Sequence, residues 1–436
     1  MPDTSAAELP VGCAIIRRSC NALKGVQAKR MNIEFVRGQF PGLRAGWTFF
    51  DNAGGSQTLE PVIQRIDEYL RTSNVQHGAS YEVSRVAGER VAGATASMAT
   101  FFNARHASEI VFGPSTSMLL RILATSLAGT LEAGDEIIVT NVDHEANIGP
   151  WTELDARGVR IRSWNLHPDT LDLHVEDLRK LITDKTRLVA VTHASNVLGR
   201  INPIREIADI VHDAGALLCA DGVAYAPHRR IDVQAFDVDF YTSSLYKVFG
   251  PHQAVLYGRR EHLERLPRFN HFFIDDVPYK FQPGNVNFEL TYGMTGLFDY
   301  VEAFATVHDR ADLAGNLPGQ LDYFFETVAA HEEAISGRLL DYLSQKKNVR
   351  ILGETESGRH RNVPTVSFVV DGRRSDTITA EVDKSRIAIR YGDFYARRMI
   401  DALGLGERNG VVRVSMVHYN TVEEVDRLIE ALDSIL

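Results

Sequence analysis

Asp239-Phe-Tyr-Thr-Ser-Ser-Leu-Tyr-Lys-Val-Phe-Gly-Pro-His-Gln-Ala-Val-Leu-Tyr-Gly-Arg259 starts from a short apolar run, residues 238–241, and breaks into hydroxyl residues and a lone Lys247. It turns at Gly250-Pro251 and resumes as a second apolar run, residues 254–257. The spacing predicts two strands with Lys247 on the loop between them. Solvated lysines collect on helix faces, whereas one flanked by Tyr246, Val248 and Phe249 is expected to lose water. Burial disfavours the ammonium, and a lowered pKa makes the amine usable as a nucleophile or proton carrier at neutral pH. Taken alone, a snorkelling surface lysine is the commoner occupant of such a position. The rest of the chain argues otherwise.

Outward from this stretch, apolar runs of strand length alternate with amphipathic helices. Strands are predicted at 109–112, 136–140, 160–163, 188–192 and 217–220, and helices at 116–128, 148–158, 175–181 and 204–213. Before them lie predicted helices at 33–39, 61–73 and 85–102. Strands separated by helices require right-handed crossovers and a mostly parallel sheet. Polar residues follow five of the strands: Gly113-Pro-Ser-Thr-Ser117, then Asp143 and His144, then His193, Ser195 and Asn196, then Asp221, and finally Lys247. In an open parallel sheet those carboxyl ends share one edge, where ligands bind.

Each group on that edge suggests a role. Ser115, Thr116 and Ser117 open a helix, and backbone N–H groups at a helix N-terminus favour a phosphate. They are also ordinary N-cap residues. Asp221 ends an apolar strand, where a lone carboxylate is costly, so it needs a cationic partner such as a protonated ring nitrogen. His144 offers a flat ring to lie against a cofactor, or a loop histidine bonded to a carbonyl. A phosphate cradle, an aspartate for a ring nitrogen and a lysine amine are the three grips that pyridoxal 5'-phosphate requires.

The segments Thr192-His-Ala-Ser-Asn-Val-Leu-Gly199, Asp221-Gly-Val-Ala-Tyr-Ala-Pro-His228 and Ser243-Ser-Leu-Tyr-Lys-Val-Phe-Gly-Pro-His252 carry a resemblance, as does the closing stretch from Val411 to Arg427. They resemble class V aminotransferase-fold enzymes, in particular the cysteine desulfurase-like group. The likeness runs from about Phe50 to the C-terminus. It implies the PLP-dependent transferase fold (aminotransferase fold type I): α/β, a large domain with a mostly parallel seven-stranded sheet, and a smaller α+β C-terminal domain. The boundaries expected are 48–290 for the large domain and 31–47 with 291–436 for the small one.

The resemblance also implies site roles. Lys247 would carry the cofactor as an internal aldimine and shuttle the alpha-proton, Asp221 would pair with the pyridine nitrogen, and His144 would stack on the ring. Asn196 would bond near the ring oxygen or the substrate carboxylate, and Ser115, Thr116 and Ser244 would hold the phosphate. Asn285, in Phe281-Gln-Pro-Gly-Asn285, would reach toward the partner's phosphate in a homodimer with shared sites. Arg413 would grip the substrate's alpha-carboxylate with Arg390 as a second cation, and His77 would line the mouth with Gly54 and Gly55.

The departures bear on the reaction. Cysteine desulfurases carry a nucleophilic cysteine a few residues after the arginine of one loop; here that loop reads Arg390-Tyr-Gly-Asp-Phe-Tyr-Ala396, with Tyr395 at the position. The group's glutamine after the aspartate is Ala224, and its histidine before the lysine is Tyr246. Cys219 alternates with Asp221 and is expected to be a core thiol. The expected function is therefore PLP chemistry on an amino acid through an alpha-carbanion, ending in C–S lysis, beta-elimination or beta-replacement without a persulfide. Transamination is the nearest alternative, followed by epimerisation, by decarboxylative or ring-forming chemistry, and by a non-catalytic binder that keeps the fold. A nicotinamide dehydrogenase is disfavoured, because no Gly-x-Gly-x-x-Gly turn with a following acid is present.

Bulk properties agree. The 436 residues carry a formal net charge of -10, which gives nucleic acid no basic footprint. No apolar run approaches a membrane span. Three cysteines are too few for a disulfide framework or a zinc site, so no metal and a cytoplasmic location are expected. Between Glu8 and Glu34 there is no acidic residue while five are basic, Arg17, Arg18, Lys24, Lys29 and Arg30. Residues 1–30 are expected to be a flexible extension rather than a targeting peptide, with the fold starting near Met31.

Overall fold

Strand Phe240–Ser244 and strand Ala254–Gly258 pair antiparallel, with the lysine loop between them tightened into a single 3-10 turn, Leu245–Lys247. They lie inside a seven-stranded sheet in the spatial order Ile110–Gly113, Ala254–Gly258, Phe240–Ser244, Leu217–Asp221, Thr186–Thr192, Glu136–Thr140 and Arg160–Trp164. Ala254–Gly258 is antiparallel to both its neighbours, and every other pairing in the sheet is parallel. A short loop turns Ala254–Gly258 back against Phe240–Ser244, and the reversed strand therefore also runs antiparallel to Ile110–Gly113, whereas the parallel neighbours are joined through helices. The computed structural model describes residues 31–436. The predicted extension, with Cys13 and Cys20, lies outside the described residues.

The sheet's central strands are buried but for the partly exposed Leu217, and apart from Phe240–Ser244 they are rich in Val, Ile, Leu and Ala, as a sheet covered on both faces requires. Helix Thr116–Leu127 packs Leu119, Leu120, Ile122 and Leu123 into one core with Ile137, Leu188, Cys219 and Phe240. A second core surrounds a four-stranded antiparallel sheet, in the order Arg390–Gly392, Val411–Ser415, Thr365–Val370, Val349–Leu352. Helices Leu317–Ser344 and Val422–Asp433 contribute Leu339, Leu343, Leu428 and Leu432 to it. The architecture is thus the one the resemblance implied, an α/β unit with a mostly parallel seven-stranded sheet and a smaller α+β C-terminal part.

Three expectations change. Residues 148–158 do not form one helix: Gly149–Thr152 is a single α-turn, preceded by a 3-10 turn and followed by another, Glu153–Arg157. Pro150 has no N–H to continue a preceding helix, and Gly158, at φ 84°, ends the run. The long C-terminal helix, which the apolar pattern predicts over 321–344, begins instead at Leu317, because Asn316 accepts from Gly319 N (3.2 Å) and Pro318 suits the first turn. Finally, strand Thr48–Phe49 pairs with Ile387–Ala388, and Phe50 is buried in the second core, so a boundary drawn at Thr48 separates these residues from the side chains they pack on. No helix among the described residues is long and apolar enough to cross a membrane.

Candidate active site

Lys247, Asp221, His144, Asn196, Ser115, Thr116 and Ser244 line one narrow cavity at the carboxyl edge of the seven-stranded sheet. Parallel register explains the convergence: Thr192, Asp221 and Thr242 are directly paired across three neighbouring strands, so the next residues of each chain leave at one level.

Lys247 is 7% exposed, and its Nζ makes no hydrogen bond or ion pair among the described residues. Burial, helped by the nearby Arg413 charge, pulls its amine down to about 8, while Asp221 and Asp51 act weakly the other way. The turn Asn52–Ser56 braces the loop: Ser56 Oγ donates toward the carbonyls of Tyr246 (3.2 Å) and Lys247 (3.1 Å) and accepts from Phe249 N. The Tyr246 ring stacks on His252 at 4.8 Å.

Asp221 is buried, and its Oδ1 accepts from Val223 N at 2.9 Å. Burial raises its carboxyl pKa, with Lys247 and the Val223 amide opposing. Behind it Asp143 is fully enclosed and pushed up to about 7 by burial, although Thr140 and Asn147 donate to it. Gly222 follows because nothing larger fits: a Cβ there would lie 2.0 Å from the Tyr241 ring. His144 accepts from Ala146 N at Nδ1 (3.0 Å), which leaves Nε2 as the protonated nitrogen of a neutral ring. Burial, then the charge of Lys247, lowers it to about 4, so the ring stays uncharged at neutral pH.

At the other end, Thr116 Oγ1 and Ser244 Oγ are 2.7 Å apart, side by side at the start of helix Thr116–Leu127. Ser115 is that helix's N-cap, accepting from Met118 N. Asp221 is the one acid among the cavity's lining residues, and it is near enough to Lys247 for their charges to interact. Hydroxyls and a helix N-terminus fit a phosphate, a buried carboxylate fits a protonated ring nitrogen, and a free amine fits an aldehyde. The donor set is that of pyridoxal 5'-phosphate.

An adjoining cavity of about 390 Å³ shares Lys247, His144, Asn196 and Tyr246, and adds Arg390, Phe394, Tyr395 and Arg413. Arg413 is buried to 2% exposure under the face of Phe394, 3.7 Å away, and donates to Asn196 O (3.0 Å). Burial lowers its guanidinium to about 10, with Asp51 opposing. Arg390 faces it across paired strands. Asp51, which sequence reasoning passed over, bridges the two arginines at 3.1 and 3.2 Å. An acid ending an apolar strand in a glycine turn was the available signal.

The loop bearing Tyr395 is fastened. Glu145 N donates to Tyr395 O (2.8 Å), Asn196 Nδ2 donates to Phe394 O (2.9 Å), and Arg398 forms a two-bond pair with Glu145. The Tyr395 ring lies 5.1 Å from that of His144. Asn196 therefore gives one of its two amide N–H groups to the loop. His77 and Asn285 do not join this group: both line a separate cavity of about 630 Å³, where His77 packs edge-on against Phe288 at 4.7 Å. Within one chain, His77 is therefore no part of the mouth. Cys219, the one cysteine among the described residues, is sealed in the sheet core, and burial holds its thiol well above its ordinary pKa.

The family model of class-V aminotransferases matches residues 48–314 and 319–428. The chain is 43% identical to the aminotransferase-like protein FGM3 of Gibberella zeae, over 94% of this chain and 100% of that one. It is 35% identical to the cysteine desulfurase-like protein ustD of Aspergillus flavus, over 93% and 91% respectively. Among solved structures, the apo cysteine desulfurase of Thermococcus onnurineus is similar at a TM-score of 0.81 and 26% identity, covering 93% of this chain and 98% of that one.

Proposed function

The chain belongs to the class V aminotransferase family of pyridoxal 5'-phosphate enzymes, and on that premise we propose that it cleaves or forms a bond at the beta-carbon of an amino acid, as a C–S lyase or in another beta-elimination or beta-replacement, without a protein persulfide. The cofactor supplies an aldehyde for the substrate's amine and, with its ring protonated, a sink for charge at the alpha-carbon. Asp221 holds the proton on the ring nitrogen. Thr116, Ser244 and the first amides of helix Thr116–Leu127 take the phosphate. His144 walls the ring as a neutral imidazole. Arg413 and Arg390 hold the alpha-carboxylate, which fixes the alpha C–H within reach of the Lys247 amine. That amine takes the alpha-proton, as a base poised near the operating pH does, and passes it to the departing beta-substituent in an elimination or back to the alpha-carbon in a replacement.

The observation that carries the beta-carbon assignment is the occupant of the mouth. Tyr395 stands against His144 on a loop tied down at both faces, while Cys219 is buried and held protonated. Neither offers sulfur a thiolate acceptor. Tyr395 and Tyr246 instead assist a leaving group or shape the pocket. On the same reading the enzyme is a cytoplasmic homodimer, in which Asn285 serves the partner's phosphate site.

The test uses holoenzyme with L-cysteine and a panel of beta-substituted alanines, with products trapped for mass spectrometry. The expected outcome is release or exchange of the beta-substituent with no sulfur left on the protein. Stoichiometric keto acid with the cofactor left as its amine would replace the proposal with transamination.

A further inference from the structure

We infer that Asp51 is a positioning residue for the two arginines that hold the substrate carboxylate. The inference rests on the carboxylate role given to Arg413 and Arg390 above and adds what keeps them usable. The two are directly opposed on antiparallel strands, where like charges repel. Asp51 divides its carboxylate between them, Oδ1 to Arg413 Nη2 at 3.1 Å and Oδ2 to Arg390 Nη1 at 3.2 Å. One acid for two guanidiniums leaves a net positive charge for a ligand carboxylate.

The backbone is arranged for this contact. Ser415 N donates to Phe50 O (2.7 Å) and Ala53 N donates to Ser415 Oγ (2.8 Å), which anchors Asp51 beside the strand that bears Arg413. Gly54 then makes the room: a Cβ at that position would lie 3.1 Å from both Arg390 Nη1 and Asp51 Oδ1. The two arginines depend on the acid unequally. Arg413 is also held by Asn196 O and the Phe394 ring. The Arg390 side chain is 57% exposed, and Asp51 is its one ion pair among the described residues. Ala53 and Gly54 line the substrate cavity and Asp51 does not, so it acts through the arginines.

Holoenzyme is titrated with L-alanine and with L-alaninamide, which lacks the carboxylate, and the visible cofactor band is followed. Asp51→Asn is expected to weaken L-alanine binding about tenfold, the scale of one charge-assisted hydrogen bond, and to leave L-alaninamide within about twofold. Asp51→Glu keeps the charge, displaced by one methylene, and is expected to show a smaller loss confined to L-alanine; it carries the test should Asp51→Asn fail to fold. Arg413→Lys is run in parallel. If it leaves L-alanine affinity unchanged, the carboxylate role of the arginines falls. If it weakens L-alanine while Asp51→Asn does not, or if Asp51→Asn weakens both ligands alike, the Asp51 inference falls alone.

Discussion

The depressed pKa of Lys247 makes a quantitative prediction about how the apo-protein captures its cofactor. At pH 7 an amine of pKa about 8 is roughly 9% unprotonated, against roughly 0.03% for one at the ordinary 10.5, a difference of about 300-fold in the reactive form. Covalent capture of pyridoxal 5'-phosphate should therefore rise about tenfold per pH unit up to about pH 8 and then level off. Stopped-flow absorbance of the stripped protein, from pH 6 to 10 at fixed aldehyde concentration, reads this directly. Pyridoxal without the phosphate serves as the control for the phosphate's own titration near pH 6. Borohydride reduction and peptide mapping should put the label on Lys247. The causes of the shift are separable: Arg413→Gln removes a charge that lowers the pKa and should move the midpoint up, whereas Asp221→Asn removes one that raises it and should move the midpoint down. A midpoint near 10, or a label on another lysine, would refute the reasoning.

Two further outcomes follow from the packing. Gly222→Ala would drive a Cβ into the Tyr241 ring, one residue from Asp221, and is expected to cost at least about 2 kcal/mol and to abolish cofactor retention, as measured by urea unfolding and by the visible band after gel filtration. Asp239 is 2% exposed, and although burial alone would raise its pKa, hydrogen bonds from His212, His262 and Leu218 N hold it well below the usual carboxylate range. Its stabilisation is present above the unfolded carboxylate's pKa and is lost as pH falls through the folded value. Asp239→Asn is thus expected to destabilise by about 3 kcal/mol at pH 6, with the gap to wild type closing below about pH 4; a pH-independent gap would contradict the assignment.

Much of the site was legible because its signals are local. An apolar run that ends in a polar residue marks a strand and its carboxyl end, and that was enough to bring Ser115, His144, Asn196, Asp221 and Lys247 to one edge. Tyr395 was legible as a departure within a recognisable loop, but its fastening to Glu145 was not, because those residues are 250 positions apart in the chain. The helix expected at 148–158 failed for the opposite reason. Its apolar spacing was sound and residues 149–157 stay helical, but after one α-turn they tighten into a 3-10 turn that Gly158 ends. That His77 lines, within one chain, the same separate cavity as Asn285 was not legible, because no local pattern says which of two cavities a loop residue will face.

From its residues alone, then, this chain declared the alternation of strands and helices, the lone lysine between two strands, the acid closing another, and the tyrosine in a position where relatives by resemblance carry sulfur. Those depend on periodicity and turn chemistry, which act over a few residues. Packing alone decided that Asp51 stands between Arg390 and Arg413, and that Glu145 fastens the loop bearing Tyr395. Such contacts join segments that have no local reason to meet. They exist because burying two cores and completing the strand ladders leaves one register in which those side chains converge.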